Sequence, residues 1–284
     1  MPRAPLHFAH GHDRRSRSFR DHIRTYNSAL SFVSFGAQLK KFDTKGPPVC
    51  VLHGALYHYS YELEAPAEEN AKFAQLYMYD HAEATSRRMD FWDNMDASVL
   101  QDLTRMLEEC NPLIGNYRQM RDVSHKYLAE GRTDIKIGFA AAVDADTRRY
   151  NHPTKEEVAA VFVAADGAPP GYRDLVIWPR DEKARVHRVD IENEHVDPCT
   201  YALLLPTGDL GWNPHLQHAK TSGPKVQKYI RMSPMQFYAY KLMVRQPFNP
   251  LPHSAGFLFQ QYIVDAYCKA EARRLQCPGE SRCV

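Results

Sequence analysis

Residues 195–212 read HVDPCTYALLLPTGDLGW. A Pro-Cys-Thr-Tyr turn feeds the apolar strip Ala202–Leu205, and Pro206, Gly208 and Gly211 punctuate the chain before Trp212. Taken locally, this is a short buried strand stopped by turn residues. It is far shorter than the roughly 20 apolar residues that cross a bilayer. The punctuation serves either folding or a task, and its neighbours must decide which.

Working outward, DLVIWP (174–179) and ARVHRVDI (184–191) read as strands. So do IKIGFAAAV (135–143) and FAQLYMYD (73–80). VCVLHGALYHYSYEL (49–63) is rich in Val and Tyr, alternates around Gly54, and reads as a hairpin or bent strand. Helical spacing interrupts these strands. Val99, Leu100, Leu103, Met106 and Leu107 form one stripe, with Asp96 as N-cap and Asn111-Pro112 as stop. A second helix spans Leu113 to Leu128 and is closed by Gly131. Thr154-x-x-Glu157 is a capping box for a helix beginning near Lys155.

Near the start, Phe19, Ile23, Tyr26, Leu30 and Val33 share one helical face, capped by Ser16 or Ser18. Near the end, Ser233-Pro234-Met235-Gln236 opens a helix. Leu258, Tyr262, Ala266 and Ala270 line one face of a last helix over about 256–275. The expected fold class is α+β: a mostly antiparallel, barrel-like sheet with a helical insertion around 81–130, plus a C-terminal helical piece. The expected organisation is a basic flexible arm (1–18), an α+β domain (19–212), a linker (213–228), a helical piece (229–276) and a disordered tail (277–284).

The chain has 284 residues, 44% hydrophobic and 25% charged, a globular composition rather than a disordered one. Cysteines at 50, 110, 199, 268, 277 and 283 have no close pair, which reads as reduced thiols in a cytosolic or nuclear protein. No apolar run reaches membrane length, and no signal-type apolar region opens the chain.

The net charge of +2 hides an uneven distribution. Residues 1–26 hold six Arg against Asp13 and Asp21, whereas 83–109 hold seven acidic residues against three Arg. Leu210 to Val264 contain no Asp or Glu. That stretch carries Lys225, Lys228, Arg231, Lys241 and Arg245, interleaved with Tyr229, Phe237 and Tyr238. Basic side chains neutralise phosphates and aromatic faces stack on unpaired bases. The same composition also describes a core segment with a solvated basic face.

The sequence lacks G-x-x-x-x-G-K-[ST], G-x-G-x-x-G and G-x-S-x-G, so it shows no phosphate-cradling loop, dinucleotide fingerprint or nucleophile elbow. His215-x-x-His218 lies in a polar loop without Cys partners. His10-Gly11-His12 has glycine where a His-hydrophobic-His element needs an apolar residue. Tyr26 lies on the apolar face of its helix, and Tyr238 and Tyr240 have no base or metal cluster near them in sequence. No catalytic or metal residue is therefore assigned.

Several phrases, in order, resemble one family, the Helitron transposon replicase/helicases. They are FRDHIRTYNSALSFVSFGA (19–37), HGALYHYSYEL (53–63), KFAQLYMYD (72–80), LEECNPLIGNYRQMRD (107–122), RRYNHPTKEEVAAV (148–161) and RDLVIWP (173–179). PCTYALLLPTGDLGW (198–212) is similar to a family landmark, with Leu205 where the family has Phe. MSPMQFYAYKLMVR (232–245) and AGFLFQQYIVDAYCKAEARRLQ (255–276) resemble the start of the helicase-like N-terminal region.

The resemblance implies a nuclear rolling-circle transposon protein that nicks and joins DNA with a divalent metal and unwinds it with ATP. The nuclease and helicase motifs have no matching positions here. The chain is therefore expected to be a fragment upstream of them, inactive alone and without a cofactor of its own. Its expected role is non-catalytic binding of single-stranded DNA at transposon ends. Arg14, Arg15, Arg17, Lys225, Lys228, Arg231, Lys241 and Arg245 are the expected phosphate contacts, and Tyr229, Phe237 and Tyr238 the expected stacking rings. The alternatives are a structural or protein-interaction remnant without DNA binding, localised to the cytosol if so, and a metal nuclease using His10, His12 and Tyr26.

Overall fold

Ala202–Leu205 does not form a strand. In the computed structural model, Val196–Thr200 is a short helix and the chain then turns repeatedly through residues 202–207. The backbone satisfies itself locally. Tyr201 N–H donates to the Asp197 carbonyl at 2.9 Å, Leu204 and Leu205 N–H to the Tyr201 carbonyl at 3.0 and 2.9 Å, and Gly208 N–H to the Leu205 carbonyl at 2.9 Å. With local acceptors supplied, the four apolar side chains are buried without a neighbouring strand. Gly208 ends the run at φ +74°, a conformation open to glycine.

The structure describes residues 4–36, 39–40, 51–52, 57–61, 71–129, 135–139, 159–163, 175–177, 186–218, 231–244 and 251–276. Its helices are α1 (Ala4–His10), α2 (Arg14–Asp21), α3 (Ile23–Leu30), α4 (His81–Phe91), α5 (Ala97–Cys110), α6 (Pro112–Ala129), α7 (Val196–Thr200), α8 (Pro234–Leu242) and α9 (Gly256–Gln276). Its strands are β1 (Ser34–Gly36), β2 (Leu39–Lys40), β3 (Val51–Leu52), β4 (Tyr57–Tyr61), β5 (Ile135–Phe139), β6 (Ala159–Val163), β7 (Leu175–Ile177) and β8 (Val186–Val189).

The expected barrel-like sheet is corrected by this arrangement. The described residues are mostly helical, and their strands fall into separate antiparallel groups ordered β1-β4-β8, β2-β3 and β6-β5-β7. Of the hairpin or bent strand expected over 49–63, the described residues form β3, which pairs with β2, and β4, which lies between β1 and β8. FAQLYMYD is a 3-10 helix over Phe73–Met78. Ala74, Gln75, Leu76 and Tyr77 are all buried in succession, which a strand with one solvated face would not show. Lys72 N–H bonds the Gln75 side chain at 2.9 Å and fixes the entry.

The helical insertion forms as α4–α6. Asp96 caps α5 by accepting from Ser98 and Val99 N–H at 2.9 and 3.3 Å. Ser233 and Gln236 close the expected capping box of α8. The expected N-terminal face is buried throughout, but the helix starts earlier, capped by Asp13 rather than Ser16 or Ser18. Residues 1–18, expected as a flexible arm, contain α1 and the start of α2, and Phe8 is buried against Phe19 with ring centroids 5.7 Å apart. The helix expected near Lys155 lies outside the described residues, as does the tail from Cys277.

The core draws on both ends of the described chain, from Phe8 to Ala266. Phe32 stacks on Tyr77 and Tyr117, with centroids 4.9 and 5.3 Å away. Arg88 is buried at the end of α3, where its Nε donates to the Ala29 carbonyl at 2.9 Å and its guanidinium lies 4.7 Å from the Tyr77 ring centre. A cation at the negative end of a helix dipole explains its place there. Among the described residues, no helix is long and apolar enough to cross a membrane.

Candidate functional site

The stretch 195–212 puts a carboxylate in the core. Asp197 lies in the single turn of α7 and is 1% exposed. Its Oδ1 accepts from Lys269 Nζ of α9 at 2.5 Å and from Tyr238 of α8 at 3.4 Å. Its Oδ2 accepts from the Tyr262 hydroxyl of α9 at 3.3 Å. The same Lys269 reaches Asp265 at 3.3 Å, one helical turn earlier. Asp265 in turn lies 3.5 Å from His58 Nε2 on β4, and His58 Nδ1 meets Thr200 Oγ1 at 3.0 Å.

This junction joins β4, α7, α8 and α9. It also explains the glycine before Trp212. A Cβ on Gly211 would sit 2.9 Å from the Asp197 carboxylate, so only glycine lets the chain pass. Trp212 then donates its indole N–H to the Met232 carbonyl at 2.8 Å, locking the lead-in to α8.

Burial pushes the Asp265 carboxyl up, but Lys269 and His58 outweigh it and hold the group well below the usual carboxylate range. Burial pulls Lys269 down, but Asp197 and Asp265 outweigh it and hold the ammonium well above its usual value. Burial, then the neighbouring carboxylates, push the Tyr201, Tyr238 and Tyr262 phenols up. These are groups kept in one charge state inside the protein. The side chains of His58, Asp197, Asp265 and Lys269 are 0–6% exposed, so the junction acts as a clasp between elements.

The sequence-predicted contact residues divide sharply. Arg14 and Arg17 are exposed on α2, with no ion pair among the described residues. Arg15 is already engaged: it pairs with Asp102, donates to the Ser98 carbonyl at 3.2 Å and lies 5.1 Å from the Phe8 ring centre. Arg231 is exposed and its backbone bridges to Gln217. Lys241 donates to the Leu210 carbonyl at 3.1 Å and lies over Phe237, which is partly buried. Tyr238 is corrected from a stacking ring to a core residue, because it is 5% exposed and its hydroxyl bonds Asp197. Lys225, Lys228, Tyr229 and Arg245 lie outside the described residues.

Tyr26 is fully buried, and its hydroxyl accepts from Asp96 N–H at 2.6 Å and meets Ser18 Oγ at 3.1 Å. Burial, partly countered by these bonds, pushes its phenol up, the opposite of what a nucleophile needs. His10 meets Ser254 at 3.1 Å and His12 is exposed. Among the described residues, no group of three His, Cys, Asp or Glu is placed to hold a metal ion.

The structure adds two residues to the exposed set. Arg14, Arg17, Asp21 and Arg24 recur at helical spacing along α2 and α3, and all four are exposed. The Arg24 guanidinium lies 5.6 Å from the ring centre of Phe257, at the start of α9, and that ring is 61% exposed. A cation-rich face thus ends on an open aromatic ring. The signal for Arg24 was its spacing from Arg14 and Arg17. For Phe257 it was a position off the Leu258–Tyr262–Ala266–Ala270 stripe.

Compared with models of protein families and with curated proteins, the chain matches none.

Proposed function

We propose that the chain is a non-catalytic binder of single-stranded DNA, the upstream portion of a Helitron-type transposon protein working in the nucleus. The observation that carries this reading is the pairing of Arg24 with the exposed Phe257 ring, at the end of a helical face that also presents Arg14 and Arg17. Guanidinium groups match phosphate oxygens, and an open ring stacks on any base. Asp21 on the same face weakens the field without cancelling it.

The test is fluorescence anisotropy with a labelled single-stranded oligonucleotide over a salt series. Log affinity should fall linearly with log salt, by about 0.7 per phosphate contact. The triple variant Arg14→Glu, Arg17→Glu, Arg24→Glu should abolish binding while the melting curve stays intact. A folded native chain that binds no strand at low salt would overturn the reading and leave an interaction module in its place.

A further inference from the structure

α8 and α9 lie side by side on the buried junction. Tyr238 of α8 and Tyr262 and Lys269 of α9 all reach Asp197, and the Tyr238 and Tyr262 ring centres are 6.3 Å apart. Both helices thus turn one face to the same carboxylate, and their opposite faces look outward as one layer.

That outer layer is apolar. Eight of the eleven exposed large hydrophobic side chains among the described residues belong to it. α8 supplies Met235 and Tyr240, and Met243 and Val244 follow directly on it. α9 supplies Ile263, Val264, Tyr267 and Leu275. Their exposures run from 38% to 71%. An amphipathic surface helix turns polar and charged side chains to water at such positions. Single exposed apolar residues are ordinary, but their concentration on two adjacent helices marks a contact surface.

Charge narrows what this surface accepts. Every charged side chain of the two helices is engaged within its own chain. Lys241 donates to the Leu210 carbonyl at 3.1 Å, Lys269 pairs with Asp197 and Asp265, Arg273 with Glu192 at 3.1 Å, and Arg274 with Glu271 at 2.7 Å. A charged partner finds no spare counter-charge on the two helices, whereas an identical face brings none that needs one. Area agrees: eight side chains, each about half exposed, offer on the order of 800 Å², the share that each partner contributes to a stable interface.

We infer that the outer face of α8 and α9 is a homodimer interface, which meets the same face of a second copy across a two-fold axis. The inference does not rest on the single-strand reading. Phe257, in the first turn of α9, stays with the arginine face.

The test is sedimentation equilibrium of the full chain over a concentration series. The native chain should be dimeric by about 10 μM. Met235→Glu combined with Val264→Glu should weaken self-association on the order of 100-fold, because the two-fold axis sets like charges against each other. Both positions are about half exposed, and a carboxylate in the first turn suits the dipole of α8, so the melting curve should stay intact. Tyr267→Ala adds no charge and should weaken the dimer about 10-fold, which keeps the test decisive if the double variant fails to fold. The chain carrying Arg14→Glu, Arg17→Glu and Arg24→Glu should dimerise as the native chain does, so failure of the single-strand reading leaves the dimer standing. A native chain that stays monomeric at about 100 μM overturns the inference, and flotation of that monomer with phosphatidylcholine vesicles would give the face to a lipid surface instead. A dimer that the folded variants leave intact overturns it as well, because the contact would then lie elsewhere.

Discussion

Asp197, Asp265 and Lys269 lie where water does not reach them, while Arg14, Arg17 and Arg24 lie on an open helical face. The first set is held together by ion pairs through Lys269 and, with His58 and Tyr238, bridges four elements, although neither Asp265 oxygen has a hydrogen-bond partner. In the second, Arg14 and Arg17 have no ion pair among the described residues and Arg24 rests on an exposed ring. Buried charges are costly unless paired, so each member of the junction depends on the others. Exposed charges contribute little to folding and remain available to a ligand. The same chemistry thus holds the molecule together in one place and is left open to solvent in the other. The sharpest way to break this contrast is Lys269→Met, which leaves two carboxylates in the core without their ammonium. It should cost about 3–5 kcal/mol in chemical denaturation, a large share of a typical domain's stability. A loss below about 1 kcal/mol would mean that water enters the junction and that the two regions differ less than their burial indicates.

Titration separates the regions next. His195, beside Asp197 in sequence, is 4% exposed, and burial lowers its imidazole from 6.5 to about 4. The folded state keeps His195 neutral over that interval, whereas the unfolded chain takes up a proton. Stability should therefore begin to fall as pH drops below 6.5 and should lose about 2–3 kcal/mol by pH 4. Asp265 runs with the same sign further down: its contribution is present above the ordinary 3.8 and is lost as pH falls through its depressed folded value. Lys269 closes the other side. Its contribution is present below the ordinary 10.5 and is lost as pH rises through its raised folded value. Denaturant midpoints across this range should show a plateau from about 6.5 to 9, where the unfolded chain begins to ionise the thiol of Cys199 that burial keeps protonated in the fold, and His195→Gln should flatten the first acid step. The ridge contains only arginines and Asp21, so its DNA affinity should stay level across the plateau.

The helices were legible because their signals are local. Asp96, Asn111-Pro112 and Ser233-Pro234-Met235-Gln236 mark ends with caps that need no knowledge of the rest of the fold. The strands were less so. The apolar run Ala202–Leu205 carries no period; its turn hydrogen bonds are local, but the need for Gly211 follows from the buried Asp197 carboxylate, which Lys269 holds from 72 positions away. FAQLYMYD failed for a similar reason: burial on all sides removes the alternation that distinguishes a strand. In the candidate site, sequence singled out Arg14 and Arg17 but also chose Tyr238, whose hydroxyl bonds a carboxylate 41 positions away. Long-range polar partners of this kind leave no periodic trace. The pair Arg24–Phe257 is equally long-range, although each residue sits at a helical position off its buried stripe.

The smallest expected effect is also the most discriminating, because it compares neighbours. Arg15 and Arg17 belong to the same arginine-rich stretch, and composition cannot tell them apart. The structure can. Arg15 is held by Asp102, by the Ser98 carbonyl and by the Phe8 ring, so its charge is already committed to α5 and α1. Arg17 is exposed and unpaired among the described residues. Arg15→Ala should therefore lower stability by about 0–1 kcal/mol, as a partly exposed ion pair does, and leave the salt slope of DNA binding unchanged. Arg17→Ala should leave the melting curve unchanged and reduce the slope by about 0.7, the share of one phosphate contact on a single strand. If Arg15→Ala changes the slope instead, the Asp102 pair opens when DNA binds, and the boundary between structural and ligand-facing charge runs through α2 itself. If neither changes it, the strand does not cross this face, and the phosphate contacts must be sought elsewhere, with the exposed Arg231 the next to test.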